Sequence, residues 1–329
     1  MTWREIGSRA NDYLEKWMSA GVISAIAIGY VCHSWMADGK SAVIVLFAFM
    51  TFVTALGTRI RDITYVLRSP WKVLLVIALT HILLPLIAFS AGKFTLSQFP
   101  QYITGIVLAA CIPVGVTSVM WTDLTRGNLA LALSIVSIDT LFSPLILPFS
   151  VHLILGKSVS IPVVKLVWGL IWMVVLPTII GITLNEMSKG RIKPAIHPVA
   201  SPLSKLAMLS VVAINVAVVS PSLGGHKGIL KLLMVLISLV IIGYLTGHLS
   251  GRIVAKDNAT RISMTYGVGM RNISAGITIA TQYFSHAASI PVVLMLLFQQ
   301  PSSTVVYWLY RRYGQGRKGR VRKEHTVSN

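Results

Sequence analysis

A run of helix-breaking and polar residues, Tyr266-Gly-Val-Gly-Met-Arg-Asn-Ile-Ser-Ala-Gly276, interrupts an apolar segment that is about long enough to cross a bilayer. Because glycine weakens a helix by about 1 kcal/mol relative to alanine, Gly267 and Gly269 predict a break in this segment. A guanidinium in the middle of a membrane span, such as that of Arg271, costs at least about 2.5 kcal/mol. Together with the amide of Asn272, this charge predicts a site that holds a ligand or a partner charge.

A matching run, Pro113-Val-Gly115-Val-Thr117-Ser118, interrupts an apolar segment in the first half of the chain. The two breaks fall in the fourth and ninth of ten apolar segments, which is the same position in each group of five. Five spans per half place the second half upside down relative to the first. Such inverted repeats, with broken helices that meet near the midplane, are typical of secondary transporters. The alternative is that Pro113 and the glycines only kink packed helices.

The composition is that of a membrane protein, because 54% of the residues are hydrophobic and only 12% are charged. A soluble protein has about 25% charged residues. We therefore predict an all-α polytopic membrane protein with ten transmembrane helices, arranged as two inverted five-helix repeats with broken helices 4 and 9 crossing. The repeats occupy residues 18–155 and 161–310, between an amphipathic N-terminal segment, residues 1–17, and a basic tail, residues 311–329.

The net charge of +19 arises mainly from lysine and arginine in the tail and in short loops on the side of the N-terminus. By the positive-inside rule this distribution predicts a multi-pass protein of the cell (inner or plasma) membrane with both termini in the cytoplasm. It also indicates attraction to anionic membrane lipids, and not a nucleic-acid partner. The oligomeric state stays open.

Two ionisable residues near the middle of other predicted spans are candidates for function. Asp139, in the fifth span, must face the protein interior or a cavity, and Arg271 is its expected partner. This pair is either functional or a structural link between the repeats. His81, midway along the third span, is either a hydrogen-bonded packing residue or a group that couples transport to protons.

Asn215 in the seventh span either faces substrate or makes an interhelical hydrogen bond. The sequence has no cluster of His, Cys, Asp or Glu with metal-binding spacing and no ATPase signature, so no metal or other cofactor is implied. A gradient must supply the energy for transport, or transport is passive. An intramembrane enzyme or sensor using Asp139 and His81 would need a nucleophile–base pair or a metal constellation, and neither is evident.

Three stretches resemble the bile acid:sodium symporter family: Cys111 to Leu131 with its Arg126-Gly-Asn128 motif, Asp139 to Leu145 with its Ser-Pro step, and Gly267 to Asn272. The resemblance extends over essentially the whole chain and implies a carrier of organic anions, such as bile-acid-like or pantoate-like carboxylates. It further implies a core domain from spans 3–5 and 8–10 and a panel domain from spans 1, 2, 6 and 7. The substrate is expected between them, in a cavity that opens alternately to each side, with Thr117, Ser118 and Asn272 among the substrate- or ion-binding residues.

The positions that carry sodium ligands in sodium-coupled members of that family differ here. The Glu-Val-Gly-Met-Gln-Asn motif of the ninth helix reads Gly-Val-Gly-Met-Arg-Asn, so a carboxylate is lost and a guanidinium replaces an amide. Four further positions differ in the third, fourth and fifth helices: a glutamine becomes His81, an asparagine becomes Val119, and a serine and a threonine become Ala132 and Val136.

These changes add about two positive charges to what would be a cation site. One such repulsion is worth roughly 4 kcal/mol at ~4 Å and an effective dielectric constant of ~20. We therefore predict sodium-independent transport with Arg271 in place of a sodium ion, as a uniporter, an exchanger, or a carrier linked to protons through His81 or Asp139. The alternatives are sodium-coupled symport through a residual site and efflux of a metalloid or oxyanion, since arsenite exporters share a ten-span plan and a cysteine in the fourth span, here Cys111.

Overall fold

The computed structural model describes residues 3–58, 70–156, 162–222 and 228–314, and within these ranges the chain is helical, with no β-strand. Seven helices in these ranges are long and apolar enough to cross a membrane, and two shorter apolar helices span Ala20–Val31 and Pro100–Cys111. The prediction of an all-α multi-pass membrane protein is thereby confirmed. The count of ten spans, the inverted repeat and the division into core and panel remain predictions.

The first half of the chain contains eight helices within the described ranges. In order they are α1 Trp3–Lys16, α2 Met18–Val31, α3 His33–Met36, α4 Ala42–Ala55, α5 Pro70–Thr95, α6 Pro100–Cys111, α7 Thr117–Leu124 and α8 Leu129–Leu155. A 3-10 turn, Ala37–Ser41, joins α3 to α4.

The second half contains six helices within the described ranges. They are α9 Val163–Met187, α10 Ile192–Val219, α11 Ile229–Val254, α12 Asn258–Gly269, α13 Ile273–Tyr283 and α14 His286–Gly314. The part of the predicted basic tail from residue 315 onward lies outside the described residues.

The amphipathic N-terminal segment forms α1, which packs on the first half of α10. Asn11 is buried there and accepts a hydrogen bond of 2.5 Å from the hydroxyl of Ser201. Lys205 donates to Asn11 and forms an ion pair of 2.8 Å with Glu15. The segment is therefore attached to the helical body by polar contacts.

Helices α5 and α9 each contain one π-helical turn, Leu79–Leu83 and Ile171–Val175. In each helix a proline, Pro85 or Pro177, follows two residues after the turn. Proline has no N–H to donate to the residue four positions earlier, so the helix relaxes locally. In α5 this places His81 in the middle of the widened turn, a feature that is frequent at functional sites.

Helix α6 is the buried centre of the fold, since every residue from Tyr102 to Cys111 is buried. It packs against α5, α8 and α14. The thiol of Cys111 is free and buried at the end of this helix, immediately before the first break. The first break is therefore held in the interior of the protein.

Helix α12, which leads to the second break, begins at an N-cap residue, Asp257, whose side chain accepts a hydrogen bond of 2.7 Å from the backbone N–H of Thr260. Partial burial opposes the charge on Asp257, but hydrogen bonds from Thr260 hold the pKa of its carboxyl below the usual value. A charged aspartate at a helix N-terminus is stabilised by the helix dipole, so the start of α12 is well defined.

Candidate functional site

The two helix breaks meet in backbone contact. Val114 and Arg271 form an antiparallel bridge. On either side of it, the N–H of Gly115 donates to the carbonyl of Met270 at 3.2 Å and the N–H of Asn272 donates to that of Pro113 at 2.8 Å. The backbone groups that the interrupted helices leave free therefore satisfy one another, as an apolar interior requires.

Local sequence explains each interruption. Ile112 precedes a proline and is extended, at φ −61° and ψ 139°, because the proline ring disfavours the helical conformation in the residue before it. Met270 is also extended, at φ −114° and ψ 130°. Helices α7 and α13 then start directly after the breaks, so that four helix ends converge on one place.

Gly115 allows the close approach of the two breaks. A Cβ atom at this position would lie 2.7 Å from the carbonyl oxygen of Arg271 and 3.2 Å from the N–H nitrogen of Asn272, both backbone atoms. At Gly267 a Cβ atom would lie 3.4 Å or more from side-chain atoms of Ile135 and Val76, which is ordinary contact.

We expect Gly115→Ala to lower the free energy of unfolding by roughly 1–3 kcal/mol, the cost of forcing packed groups apart. Gly267→Ala is the matched control and should have an effect near zero or slightly stabilising, because alanine favours a helix. Thermal unfolding of the two purified variants in detergent compares them. Equal melting temperatures of the two variants would show that the close approach at Gly115 does not contribute to stability.

The guanidinium of Arg271 is buried, with 3% of the residue exposed, and it lies at the C-terminal end of α12. Its Nη2 donates to the carbonyl of Val268 at 2.9 Å and its Nη1 donates to that of Met270 at 3.3 Å. The C-terminal end of a helix carries a partial negative charge and favours a cation. Arg271 is thus a positive charge fixed on the carbonyl groups of its own break.

Asp139 pairs with His81 rather than with Arg271, so the predicted Asp139–Arg271 pair is replaced by another partner. The Nε2 of His81 lies 2.6 Å from Oδ1 of Asp139, and the backbone N–H of Val114 donates to Oδ2 at 2.6 Å. Neither side chain is more than 2% exposed. The reason is that Arg271 turns back to its own helix, whereas the π turn of α5 presents His81 to α8.

Gln299 in α14 is a residue of this site that sequence reasoning missed. Its Oε1 accepts from the N–H of Arg271 and its Nε2 donates to the carbonyl of Arg271, both at 2.8 Å. The amide therefore pairs with the free edge of the second break as a neighbouring strand would. The signal available in the sequence was an amide residue two positions before Pro301 in an apolar segment.

We expect Gln299→Leu to lower the free energy of unfolding by about 1–3 kcal/mol, because it leaves the buried N–H of Arg271 without an acceptor. The carbonyl of Arg271 loses one of its two donors and keeps the N–H of Ile273, at 3.0 Å. The adjacent Gln300 is exposed, and Gln300→Leu is the matched control, expected to change stability by less than about 0.5 kcal/mol. Thermal unfolding in detergent measures both. A Gln299→Leu midpoint as high as that of the control would contradict this role.

The polar residues at the starts of α7 and α13 are in part accessible. Thr117 is the first residue of α7 and is half-buried, next to exposed Val116. Asn272 is also half-buried and caps α13, its Oδ1 accepting from the N–H of Ala275 at 3.2 Å. The hydroxyl of Ser118 is buried and has no hydrogen-bond partner among the described residues.

Asn215 is fully buried in α10 and contacts α13 rather than the breaks. Its Oδ1 accepts from the hydroxyl of Thr281 at 2.9 Å and its Nδ2 donates to that of Thr278 at 3.4 Å. The prediction of an interhelical hydrogen bond thus describes the observed arrangement. Within the described residues, no group of three or more His, Cys, Asp or Glu side chains is placed to hold a metal ion.

Comparisons with known proteins match this chain to one family of membrane transporters. The model of the Sodium Bile acid symporter family matches residues 43–225. The uncharacterized protein YbaS of Bacillus subtilis is 32% identical over 291 residues, which cover 88% of this chain and 95% of that protein. A Bacillus subtilis protein named as an uncharacterized sodium-dependent transporter, YocS, is 27% identical over 87% of this chain and 89% of its own length. The probable sodium/metabolite cotransporter BASS1 of Arabidopsis thaliana chloroplasts is 25% identical over 94% of this chain and 76% of its own length.

The apolar helices and these matches define a multi-pass membrane transporter. The chain belongs to the sodium bile acid symporter family, as the resemblance in its sequence predicts.

Proposed function

We propose that this protein carries a small organic anion, a bile-acid-like or pantoate-like carboxylate, across the cell membrane by alternating access and without sodium. In this proposal the guanidinium of Arg271 permanently occupies the place of a coupling cation. The observation that carries it is the pair of hydrogen bonds from Arg271 to the carbonyl oxygens of Val268 and Met270. Unwound carbonyls and C-terminal ends of broken helices are the groups that coordinate sodium in secondary transporters.

An anionic substrate is supported by the helix ends that converge at the breaks. Helices α7 and α13 both start there, and the N-terminal end of a helix carries partial positive charge and free N–H groups. Thr117 and Asn272, at these two ends, are partly accessible, and Ser118 has a buried hydroxyl with no partner among the described residues. These groups fit a carboxylate bound beside the breaks.

Alternating access requires the predicted panel to separate from the core at one side of the membrane. The described hydrogen bonds between the two groups of helices include those of Asn215 with α13 and one of 2.9 Å from Gln282 to the carbonyl of Lys40. On opening, water would replace these hydrogen bonds at little cost. Apolar side chains of both groups, such as Leu170 and Ile277, belong to one hydrophobic cluster and would also have to separate.

Sodium-coupled symport through a residual site is the second candidate, because related proteins are named as sodium-dependent transporters and sodium/metabolite cotransporters. The positive charge that Arg271 places on the carbonyl groups of the second break disfavours the binding of sodium there. Metalloid efflux would depend on Cys111, whose thiol is buried in α6.

A thermal-shift screen of the purified protein with pantoate, taurocholate and other organic acids, each in sodium chloride and in choline chloride, tests the proposal. A bound substrate stabilises the native state by mass action. We expect at least one organic acid to raise the melting temperature equally in both salts. Stabilisation that appears only in sodium would favour the second candidate, and a lack of stabilisation by every acid would count against an organic-anion carrier.

A further inference from the structure

The His81–Asp139 pair is a buried ionisable unit inside the helical body. Nε2 of His81 and Oδ1 of Asp139 lie 2.6 Å apart, and the exposed fractions of the two side chains are 2% and 0%. Both carboxylate oxygens of Asp139 are used, because Oδ2 accepts from the backbone N–H of Val114. When Asp139 is ionised it can only accept hydrogen bonds, so Nε2 of the imidazole carries the proton that is donated to Oδ1, and Nδ1 is the remaining nitrogen.

Nδ1 of His81 is buried and has no hydrogen-bond partner among the described residues. A buried polar atom without a partner costs about 1–3 kcal/mol. Histidine is also the side chain that most readily changes its charge between about pH 5 and 8. Nδ1 is therefore the atom at which the pair can take up one further proton.

The charges near the pair determine how an added proton would change the net charge of this buried group. Besides His81, the charged side chain that acts on Asp139 is Arg271, which in turn interacts with Cys111 of α6 and Tyr244 of α11. The helices packed against the π turn of α5 are α6 and α8. Their ionisable side chains are Tyr102, Cys111, Asp139 and His152, and Asp139 is the one that is hydrogen-bonded to His81.

With neutral His81, the charges of Arg271 and Asp139 cancel. One added proton gives this buried group a net charge of +1 beside the two breaks. An unbalanced charge in a buried site is costly, and a bound monoanion would offset it. Proton and anion should therefore each favour the binding of the other, since such coupling is reciprocal.

We propose that the His81–Asp139 pair is the proton-binding site of this carrier and that one proton, taken up on the imidazole, crosses the membrane with the anion. This inference rests on the proposed transport of an organic anion. The His81–Asp139 pair is connected directly to the two breaks, because Asp139 accepts a hydrogen bond from the N–H of Val114, the residue that forms the bridge to Arg271. The proton comes from water on one side and returns to water on the other, with no covalent bond formed to the substrate.

The test uses the full-length protein in sodium-free proteoliposomes that contain the pH dye pyranine, with radiolabelled pantoate and taurocholate as probes. We expect an inward proton gradient of one pH unit to raise accumulation of the transported probe by up to about tenfold, the ratio for one proton per monoanion. Acidification of the lumen should accompany uptake. His81→Gln should abolish both effects of the gradient but retain exchange of labelled for unlabelled anion.

His248→Gln is the matched control, because His248 also lies in a long apolar helix. Unlike Nδ1 of His81, Nδ1 of His248 is hydrogen-bonded to the hydroxyl of Tyr310, at 2.6 Å. This variant should respond to the gradient as the unchanged protein does. The proton site would be refuted if uptake by the unchanged protein did not depend on the gradient, or if uptake by His81→Gln still depended on it. Either result would leave the proposed anion transport unaffected. If His81→Gln does not fold, the gradient response and the lumen acidification of the unchanged protein decide whether a proton crosses with the anion.

Absence of uptake for both probes would count against the proposed function, and the proton site is then judged separately. The melting temperatures of the unchanged protein and of His81→Gln in detergent are compared between about pH 5 and 8. A difference that varies with pH supports a titrating pair. A constant difference refutes it.

Discussion

Replacing Arg271 by glutamine is expected to destabilise the protein in sodium-free buffer by about 2–4 kcal/mol, because the carbonyl groups of Val268 and Met270 lose a charged donor in a buried site. Sodium should then recover part of this loss, since the unpaired carbonyl groups become available to a cation. In the unchanged protein, sodium chloride and choline chloride should give the same melting temperature. Thermal unfolding in the two salts measures both effects.

The double variant Gly267→Glu/Arg271→Gln extends this prediction, because it restores the motif that the sodium-coupled relatives carry. A Cβ atom at position 267 would meet the side chains of Ile135 and Val76 at ordinary contact distance, and a bound sodium ion would offset the buried charge of the glutamate. We expect this variant to show the largest stabilisation by sodium. Arg252, which is exposed at the end of α11, supplies the matched control Arg252→Gln, which should gain no sodium response. No sodium response in either Arg271 variant would contradict the view that the guanidinium stands in the place of a cation.

Replacing Asp139 by leucine is expected to lower the free energy of unfolding by about 3–5 kcal/mol, because it leaves the buried charge of Arg271 without a compensating carboxylate. The change leaves the N–H of Val114 and the Nε2 of His81 without an acceptor. Asp139→Asn, which retains one acceptor oxygen, should cost clearly less. Melting curves in detergent rank the three proteins. A leucine variant within about 1 kcal/mol of the unchanged protein would show that the pair does not hold the first break.

The positions of the breaks could be predicted from the sequence because they depend on local chemistry. Proline and glycine weaken a helix, and α6 and α12 end close to Pro113 and Gly269, where such residues are combined. Prolines without neighbouring glycines lie inside α8, α10 and α14 and do not interrupt them. That the two breaks meet followed from their equivalent order in the two halves. Family membership followed from the motifs around Arg126 and Asn272.

The partners of the buried charges could not be predicted in the same way. A sequence shows that Asp139 and Arg271 are both inside spans, but not which direction each side chain takes. Arg271 is long enough to reach back to its own helix end, so it acts on Asp139 only through its charge and makes its hydrogen bonds to Val268 and Met270. Gln299 was missed because its role depends on the neighbouring α14 lying beside the second break, a relation set by packing between distant segments.

The measurement that tests the central proposal most directly is uptake of the organic anion identified by the thermal-shift screen into proteoliposomes, with sodium replaced by choline at constant pH. Because Arg271 already supplies the positive charge at the second break, the initial rate should be the same in the two salts. A collapse of uptake in choline would contradict the proposal and show that sodium still binds in this carrier.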